Sequence, residues 1–336
     1  MQFVFEKSIP ITKMNAIGGY FELADLVERG EFPHNDGVLL NTGRNALEYI
    51  LRSIGDVKHI YLPYYTCEVV LEPLKKLNIP YTYYHINTNF EIVDELKPNE
   101  GEYIIANNYY GIKDAYIQKL AEKYGDQLIV DYAQALFAKP LPGIKAFYSM
   151  RKYVGVADGG VAYLGNLPDD LVEVEEMENT DDHDSHLFKR KQFGAEAGFA
   201  DYQANEKKLD DQPIRLMSFQ TKWLLDHIDY ENVVARRREN YKFLNEALCG
   251  KNELTLSDLD TFACPMVYPF MMETDHDLRK ELIDNKVFVA KYWPNVKRKD
   301  GYKKEYNMAT NIIPIPCDQR YGFEEMNKII NIIQTI

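Results

Sequence analysis

The chain has 336 residues, of which 46% are apolar and 27% charged, a composition typical of folded proteins with a substantial core. Its 39 basic and 52 acidic residues leave a net charge of −13, which argues against binding to nucleic acid or an anionic membrane. We see no signal-peptide pattern and no stretch long enough to span a bilayer, so we expect a cytoplasmic protein. The cysteines form no C-x-x-C pair and indicate free thiols rather than disulfides or a zinc site.

Strand and helix patterns alternate along the first half of the chain. Strands are predicted at His59–Pro63, Tyr81–Ile86, Glu102–Asn107, Gln127–Ala133 and Ile144–Ser149, and amphipathic helices at 69–77 and 115–125. Such alternation predicts an α/β fold with a mainly parallel sheet, whose ligands bind at the carboxyl ends of the strands.

The second half reads differently. The acidic region from Gly165 to about Gln212 contains "DDHDSH", which looks like a metal cluster but is more typical of a solvated turn. From about Ile214 one long helical pattern runs to Cys249–Gly250, and the strand patterns "CPMVYPFMM" and "KVFVAKYW" and a terminal helix follow. We therefore predict a large domain over residues 1–235 and a small α+β domain over 236–336.

Two strand-end loops carry candidate binding residues. Gly43, Arg44 and Asn45 open an apolar helix, where free N–H groups favour an anion; the alternative is an ordinary N-cap turn. Asp131 ends the most apolar strand, and Gln134 follows three residues later. A buried carboxylate needs a partner such as a protonated ring nitrogen; the alternative is a helix N-cap.

The stretch "FYSMRKYVGVADGG" places Lys152 in an apolar setting, three residues after Ser149. A lysine is ordinarily a solvated surface charge. In a partly dehydrated pocket, however, the pKa of its ammonium falls and the amine becomes a nucleophile toward aldehydes. A pyridoxal phosphate site needs three kinds of group. A lysine forms the imine, a carboxylate such as Asp131 pairs with the pyridinium, and a hydroxyl such as Ser149 with a helix N-terminus binds the phosphate.

Several stretches carry a family resemblance: "NTGRNALEYIL", "NNYYGI", "IVDYAQALFA", "YSMRKYVGVADGG", "IRLMSFQTKW" and "IIPIPCDQRYGFEEM". The chain resembles the DegT/DnrJ/EryC1/StrS family of pyridoxal-phosphate sugar aminotransferases, which have the aspartate-aminotransferase architecture (fold type I). The resemblance implies pyridoxal 5′-phosphate held on Lys152 as an internal aldimine, with Asp131 at the ring nitrogen and Gln134 at the phenolic oxygen. It implies phosphate binding by Gly43, Arg44 and Asn45.

The resemblance also implies glutamate as amino donor, a nucleotide-linked keto sugar as acceptor, a role in amino-sugar and surface-polysaccharide biosynthesis, and no metal. Arg215 lies in the segment that family members send into the partner subunit of a homodimer; the alternative is an ion pair within one chain.

Three positions depart from the family pattern. Cys67 stands where an aromatic residue commonly stacks on the cofactor, with Tyr65 or Tyr64 as substitutes; Ser149 lies closer to the lysine than usual; and Pro213 replaces an asparagine. These departures leave two alternatives open. The chain is either a binding or regulatory module that has lost catalysis, or a sugar enzyme of another reaction type, although sugar dehydratases of this fold replace the lysine that is present here.

Overall fold

The computed structural model describes residues 16–168, 172–175, 184–256, 259, 263–299 and 301–336. The strands within these residues are β1 Ile17–Gly18, β2 Val38–Leu40, β3 His59–Pro63, β4 Tyr81–Tyr84, β5 Glu102–Asn107, β6 Leu128–Tyr132, β7 Lys145–Ser149, β8 Gly160–Leu164, β9 Val267–Phe270, β10 Val287–Phe288 and β11 Ile313–Pro316. The helices are α1 Gly43–Ile54, α2 Leu71–Lys76, α3 Asp114–Tyr124, α4 Ser185–Phe193, α5 Phe199–Lys208, α6 Phe219–Leu225, α7 Tyr230–Leu248, α8 Leu278–Asp284, α9 Lys303–Asn311 and α10 Phe323–Gln334. Not one helix in this part of the chain is long and apolar enough to cross a membrane.

The main sheet of the described residues has seven strands in the order β2-β8-β7-β6-β5-β3-β4. β3 to β7 pair in parallel, and β8 lies antiparallel to both β7 and β2. All five strands predicted in the first half lie in this sheet, so the predicted α/β fold is confirmed. β6 illustrates why these strands can be predicted from sequence. All five of its residues are buried, which gives the nearly continuous apolar run of a parallel strand.

The helices beside the sheet begin and end at recognisable residues. Thr42 caps α1, its side chain accepting a hydrogen bond from the backbone N–H of Asn45 at 3.1 Å. α1 packs on β7 and β8. α3 ends at Gly125, whose φ of 54° lies in the left-handed region. The helix predicted over 69–77 is shorter, since a 3₁₀ turn over Glu68–Val70 precedes α2.

The acidic region holds two helices that the sequence pattern did not predict, α4 and α5. In "DDHDSH", residues 181–183 lie outside the described residues, and the prediction of a solvated turn is wrong for His186, which is 3% exposed in the first turn of α4. These helices were missed because their buried sides include the polar residues His186, Arg190 and Asn205, which apolar periodicity cannot reveal.

The single long helix predicted from Ile214 is also wrong. The chain forms α6 and α7 instead, with a break over residues 226–229. Each helix starts at its own N-cap: the Ser218 side chain accepts from the Thr221 N–H at 3.1 Å at the start of α6, and the Asp229 side chain accepts from the Asn232 N–H at 3.0 Å at the start of α7, directly after the break. Each cap satisfies an N–H that would otherwise lack a partner at a helix start.

The second structural unit gathers around a separate apolar cluster drawn from residues 241–333 together with Ile17. β9 and β11 pair antiparallel, while β1, from the start of the described chain, pairs in parallel with β10. "KVFVAKYW" therefore contributes only the two-residue strand β10, and the terminal helix appears as α10. The predicted boundary between residues 235 and 236 falls inside α7 and stays a prediction.

The paired glycines of "ADGG" allow a close backbone contact. A Cβ built on Gly160 would lie 2.3 Å from the carbonyl carbon and oxygen of Thr42, inside van der Waals distance. Gly159 donates its N–H to the Asn41 carbonyl at 2.6 Å, and its φ is 122°. The start of β8 is thereby pressed against the turn that opens α1.

We expect Gly160→Ala to destabilise the fold by about 2–3 kcal/mol, because the added methyl group must push the Thr42 turn away. Gly250→Ala is the matched control, since a Cβ there meets nothing within 4 Å, and it should change stability by less than about 0.5 kcal/mol. Denaturant unfolding of both variants measures the difference. Equal stability of the two variants would contradict the contact.

Candidate active site

Asp131 and Lys152 come together at the carboxyl edge of the sheet, as the sequence predicted for a shared site. Asp131 lies near the end of β6, is 7% exposed, and accepts a hydrogen bond from the Ala133 N–H at 2.8 Å. Lys152 lies in the 3₁₀ turn Met150–Lys152 that follows β7. Burial raises the pKa of the Asp131 carboxyl, and the nearby Lys152 ammonium opposes that rise.

Gln134 offers a buried hydrogen-bond donor that the described residues leave unused. Its side-chain oxygen accepts from the Tyr110 N–H at 3.0 Å, which fixes the amide, while its Nε2 is buried and has no partner among them. Buried polar groups ordinarily find partners, so a donor left unused three residues after Asp131 is a candidate for binding a ligand atom.

Asn107 belongs to the same region, although the sequence analysis did not single it out. It pairs in register with Asp131 across β5 and β6, and its Nδ2 donates to the Thr66 hydroxyl at 3.0 Å. Its Oδ1 is buried with no partner in the described structure. Its position at the end of a parallel strand is the signal that could have found it.

Gly43 and Ser149 also meet, at the first turn of α1. A Cβ on Gly43 would lie 3.4 Å from the Ser149 Cβ and 3.1 Å from the Tyr148 carbonyl oxygen. Ser149 thus lies beside a helix N-terminus, whose free N–H groups attract anions. Binding of a phosphate by Gly43 and Ser149 stays a prediction.

The side chains of Arg44 and Asn45 are engaged elsewhere. The Arg44 guanidinium pairs with Glu72 at 2.8 Å and with Asp210 at 2.7 Å. The Asn45 Nδ2 donates to the Gln212 carbonyl at 2.9 Å. The turn therefore offers an anion its backbone N–H groups rather than these two side chains.

Tyr65 lies in an aromatic cluster beneath the site. It is 1% exposed, its hydroxyl pairs with the Tyr110 hydroxyl at 2.9 Å, and the Trp293 ring meets it edge-on at 4.3 Å. Cys67 is half-buried and precedes a 3₁₀ turn. Stacking of Tyr65 or Tyr64 on a cofactor stays a prediction.

Lys152 opens onto a cavity of about 630 Å³ that lies between the main sheet and the second unit. Its walls include Tyr20 and Phe21 from the start of the described chain, Arg190 of α4, Tyr292, and Arg320 after β11. Sequence analysis missed all five, because each reaches the cavity through contacts distant in sequence. The one local signal is the aromatic pair after two glycines in "GGYF".

The fold can be compared with solved structures. The sugar aminotransferase CalS13 from Micromonospora echinospora has a TM-score of 0.60 at 15% identity, over 90% of this chain and 88% of that one. A DegT DnrJ EryC1 StrS aminotransferase from Brucella abortus has a TM-score of 0.59 at 15% identity, over 90% and 86%. Helicobacter pylori PseC, an aminotransferase involved in pseudoaminic acid biosynthesis, has a TM-score of 0.61 at 12% identity, over 96% and 99%.

This chain has the fold of the sugar aminotransferases. The predicted fold type I architecture is thereby confirmed. No protein-family model and no curated protein matches the chain, so the comparison establishes the fold alone.

Arg237 fixes the Lys152 turn of this sugar-aminotransferase fold to the second unit. The side chain is fully buried, and its guanidinium donates to the Tyr153 carbonyl at 3.2 Å, the Met266 carbonyl at 3.0 Å and the Gln319 side-chain oxygen at 2.8 Å. The Tyr153 ring lies 4.4 Å from the guanidinium carbon. Such a fork of donors holds the backbone directly after Lys152 in one position.

Arg215 lies at the surface, with its side chain 34% exposed. It contacts Glu175 at 3.5 Å and the Gln212 side-chain oxygen at 3.3 Å. Arg215 therefore makes an ion pair within its own chain, as the alternative interpretation expects. Long surface pairs of this kind contribute little and leave the arginine available to another chain. Pro213 still offers its carbonyl, which accepts from the Asn41 Nδ2 at 3.1 Å.

Asp131→Asn should stabilise the cofactor-free protein. Burial raises the pKa of Asp131 in the folded state above its value in the unfolded chain, about 3.9. The free energy of unfolding therefore falls as the pH rises from the unfolded-state pKa through the folded-state pKa. We expect Asp131→Asn to gain roughly 1 kcal/mol at pH 8, with the gain disappearing at pH 3.

Asp158→Asn is the contrasting control. Asp158 is equally buried, but its carboxylate accepts from the Ser218 N–H at 2.9 Å and from the Ser218 hydroxyl at 2.7 Å. An amide NH₂ facing donors loses these bonds, so this variant should be less stable. Urea unfolding at both pH values tests the pair, and a destabilised Asp131→Asn protein at pH 8 would contradict the account.

Proposed function

We propose that this chain is a pyridoxal-phosphate aminotransferase of the DegT/DnrJ/EryC1/StrS family. It transfers an amino group from glutamate to a keto sugar carried on a nucleotide, for amino-sugar and surface-polysaccharide biosynthesis in the cytoplasm. The observation that carries the proposal is the buried Asp131 beside Lys152, with the unused Gln134 donor in the same site. The names of the similar solved structures support the reaction class.

The residues fit pyridoxal phosphate at three points. Asp131 supplies a buried carboxylate for a protonated ring nitrogen, and the unpartnered Nε2 of Gln134 supplies a donor for the phenolic oxygen. Ser149 and the backbone at Gly43 offer a hydroxyl and N–H groups for the phosphate. Bound cofactor would give the buried carboxylate, the unpartnered amide donor and the helix N-terminus each a partner.

Each residue then has a defined task. When bound, the cofactor supplies an electron-withdrawing ring that stabilises negative charge on the substrate carbon. Asp131 keeps the ring nitrogen protonated. The Lys152 amine would hold the cofactor at its aldehyde carbon with loss of water, and once freed by an amino donor it would accept and return a proton at the substrate carbon. The product of the donor leaves before the acceptor enters, so we expect ping-pong kinetics.

The walls of the cavity support a bulky acceptor. A volume of about 630 Å³ is ample for a sugar with a further group attached. Tyr20 and Tyr202 stack at 4.9 Å on one side, and Tyr292 and Phe288 lie on another. Aromatic faces of this kind pack against the apolar faces of sugar and nucleobase rings.

Borohydride reduction tests the attachment site. In protein loaded with pyridoxal phosphate, we expect reduction to leave a pyridoxyl group on the peptide that contains Lys152, detected by mass spectrometry, and Lys152→Ala to abolish it. Lys291→Ala is the control, because this exposed lysine lies between two cavity residues, Ala290 and Tyr292. A label on any other lysine of the wild-type chain would refute the assignment.

A mixing experiment tests the proposed homodimer, in which Arg215 completes the site of the partner subunit. Lys152→Ala and Arg215→Ala chains should each be inactive, and a mixture should regain up to about a quarter of wild-type activity, because half of the dimers then hold one intact site. Differently tagged chains verify that subunits exchange. Exchange without recovered activity would show that the sites are not shared.

A further inference from the structure

Arg190 lines the same cavity as Lys152 but has no role in the function proposed above. It lies in α4 and is 4% exposed. Its Nε donates to Glu22 at 2.6 Å, and its Nη2 donates to the Gly18 carbonyl at 2.7 Å. The remaining nitrogen, Nη1, is buried and has no partner among the described residues. A buried cationic nitrogen with two unused N–H groups is costly unless an acceptor reaches it.

Gly19 and Tyr20 flank the Arg190 guanidinium. A Cβ built on Gly19 would lie 3.2 Å from Nη1. The Tyr20 ring lies 4.8 Å from the guanidinium carbon. Both residues belong to the segment that pairs with the second unit through β1 and β10. Because Nη1 is buried, an acceptor can reach it only if this segment moves outward.

The neighbouring charges favour a ligand with one negative charge. Arg320 is held by Asp318 at 2.7 Å and also approaches Glu22 at 3.5 Å. Arg190 and Arg320 balance Glu22 and Asp318, while Arg151, Lys152 and Glu196 also line the cavity and leave it one positive charge. A carboxylate monoanion adds one charge and has the flat geometry that a guanidinium binds best.

We propose that Arg190, through Nη1, binds a carboxylate of the amino donor. The proposal rests on the aminotransferase function, because it needs a donor whose nitrogen reaches Lys152 while its carboxylate reaches α4. The Tyr20 ring beside the guanidinium lowers the local dielectric and strengthens the interaction. Arg190 is thereby a specificity residue that selects amino acids over simple amines.

Arg151 is the rival cation in this cavity. Its Nε is also buried without a partner, but it carries a single N–H, and the guanidinium is paired with Glu206. Arg190 offers two N–H groups at one nitrogen and is the better donor for a carboxylate. The two arginines can be compared directly.

The test is a calorimetric titration of the cofactor-loaded protein with succinate, a dicarboxylate that has no amino group and cannot react. We expect Arg190→Gln to raise the Kd for succinate at least tenfold, the loss of one charge-assisted contact corresponding to about 10- to 100-fold. Lys191→Gln is the matched control, because Lys191 is the next residue of the same helix and pairs outward with Asp25; its Kd should stay within about twofold of wild type.

A second variant guards against a local folding defect. Glu22→Gln keeps a hydrogen-bond acceptor for Nε but removes the competing charge, so succinate should bind several-fold more tightly than to wild type. Inorganic phosphate should not displace succinate from the wild-type protein. Displacement by phosphate, unchanged binding by Arg190→Gln, or a larger loss with Arg151→Gln would each overturn the assignment.

Reaction with donors separates this inference from the proposed function. In wild type, glutamate should convert the bound cofactor at far lower concentration than n-butylamine, and Arg190→Gln should reduce that preference at least tenfold. If the preference is unchanged while conversion proceeds, the Arg190 assignment fails and the aminotransferase function stands. If no donor converts the cofactor but Arg190-dependent succinate binding persists, the proposed function fails instead.

Discussion

The structure depends on one costly placement, the burial of the Asp131 carboxylate beside Lys152. Desolvation raises the pKa of Asp131, and a single ammonium and one backbone N–H oppose it. A fold selected for stability alone would place an apolar residue at the end of so apolar a strand. The site therefore retains a group that destabilises the cofactor-free chain, and a cationic ring nitrogen is the partner that would offset its cost.

Lys152 stays near the Asp131 carboxylate because the chain is held in place both before and after the Met150–Lys152 turn. Before the turn, β7 sets the position of Ser149; after it, Arg237 holds the Tyr153 carbonyl and ties it to the second unit. The contact of Gly160 with Thr42 joins the same loop to the start of α1. The lysine, the carboxylate and the helix N-terminus are thus positioned by one connected set of backbone contacts, which is how an active site becomes preorganised.

Much of this arrangement is readable from sequence because it depends on local patterns. The strands of the main sheet are short buried runs, and Asp131, Gln134 and Ser149 stand at or just after strand ends, where the topology of the sheet predicts a site. The features that the sequence did not predict depend on side-chain contacts between residues that are distant in the chain. The side chains of Arg44 and Asn45 turn to Asp210 and Gln212, some 166 residues away, and Arg190 reaches the cavity from a helix whose buried side carries charged and polar residues. Hydrophobic periodicity cannot predict these polar contacts, because it detects only apolar faces.

The most direct test of the central claim is the absorbance spectrum of the purified protein with pyridoxal phosphate, recorded before and after glutamate is added without any acceptor. We expect a visible absorption band from the lysine-bound cofactor, which glutamate removes as the amino group passes to the cofactor, with one equivalent of 2-oxoglutarate released per site. A visible band that persists unchanged at saturating glutamate, with no keto acid formed, would contradict glutamate-dependent transamination and favour a binding or regulatory protein on the same fold.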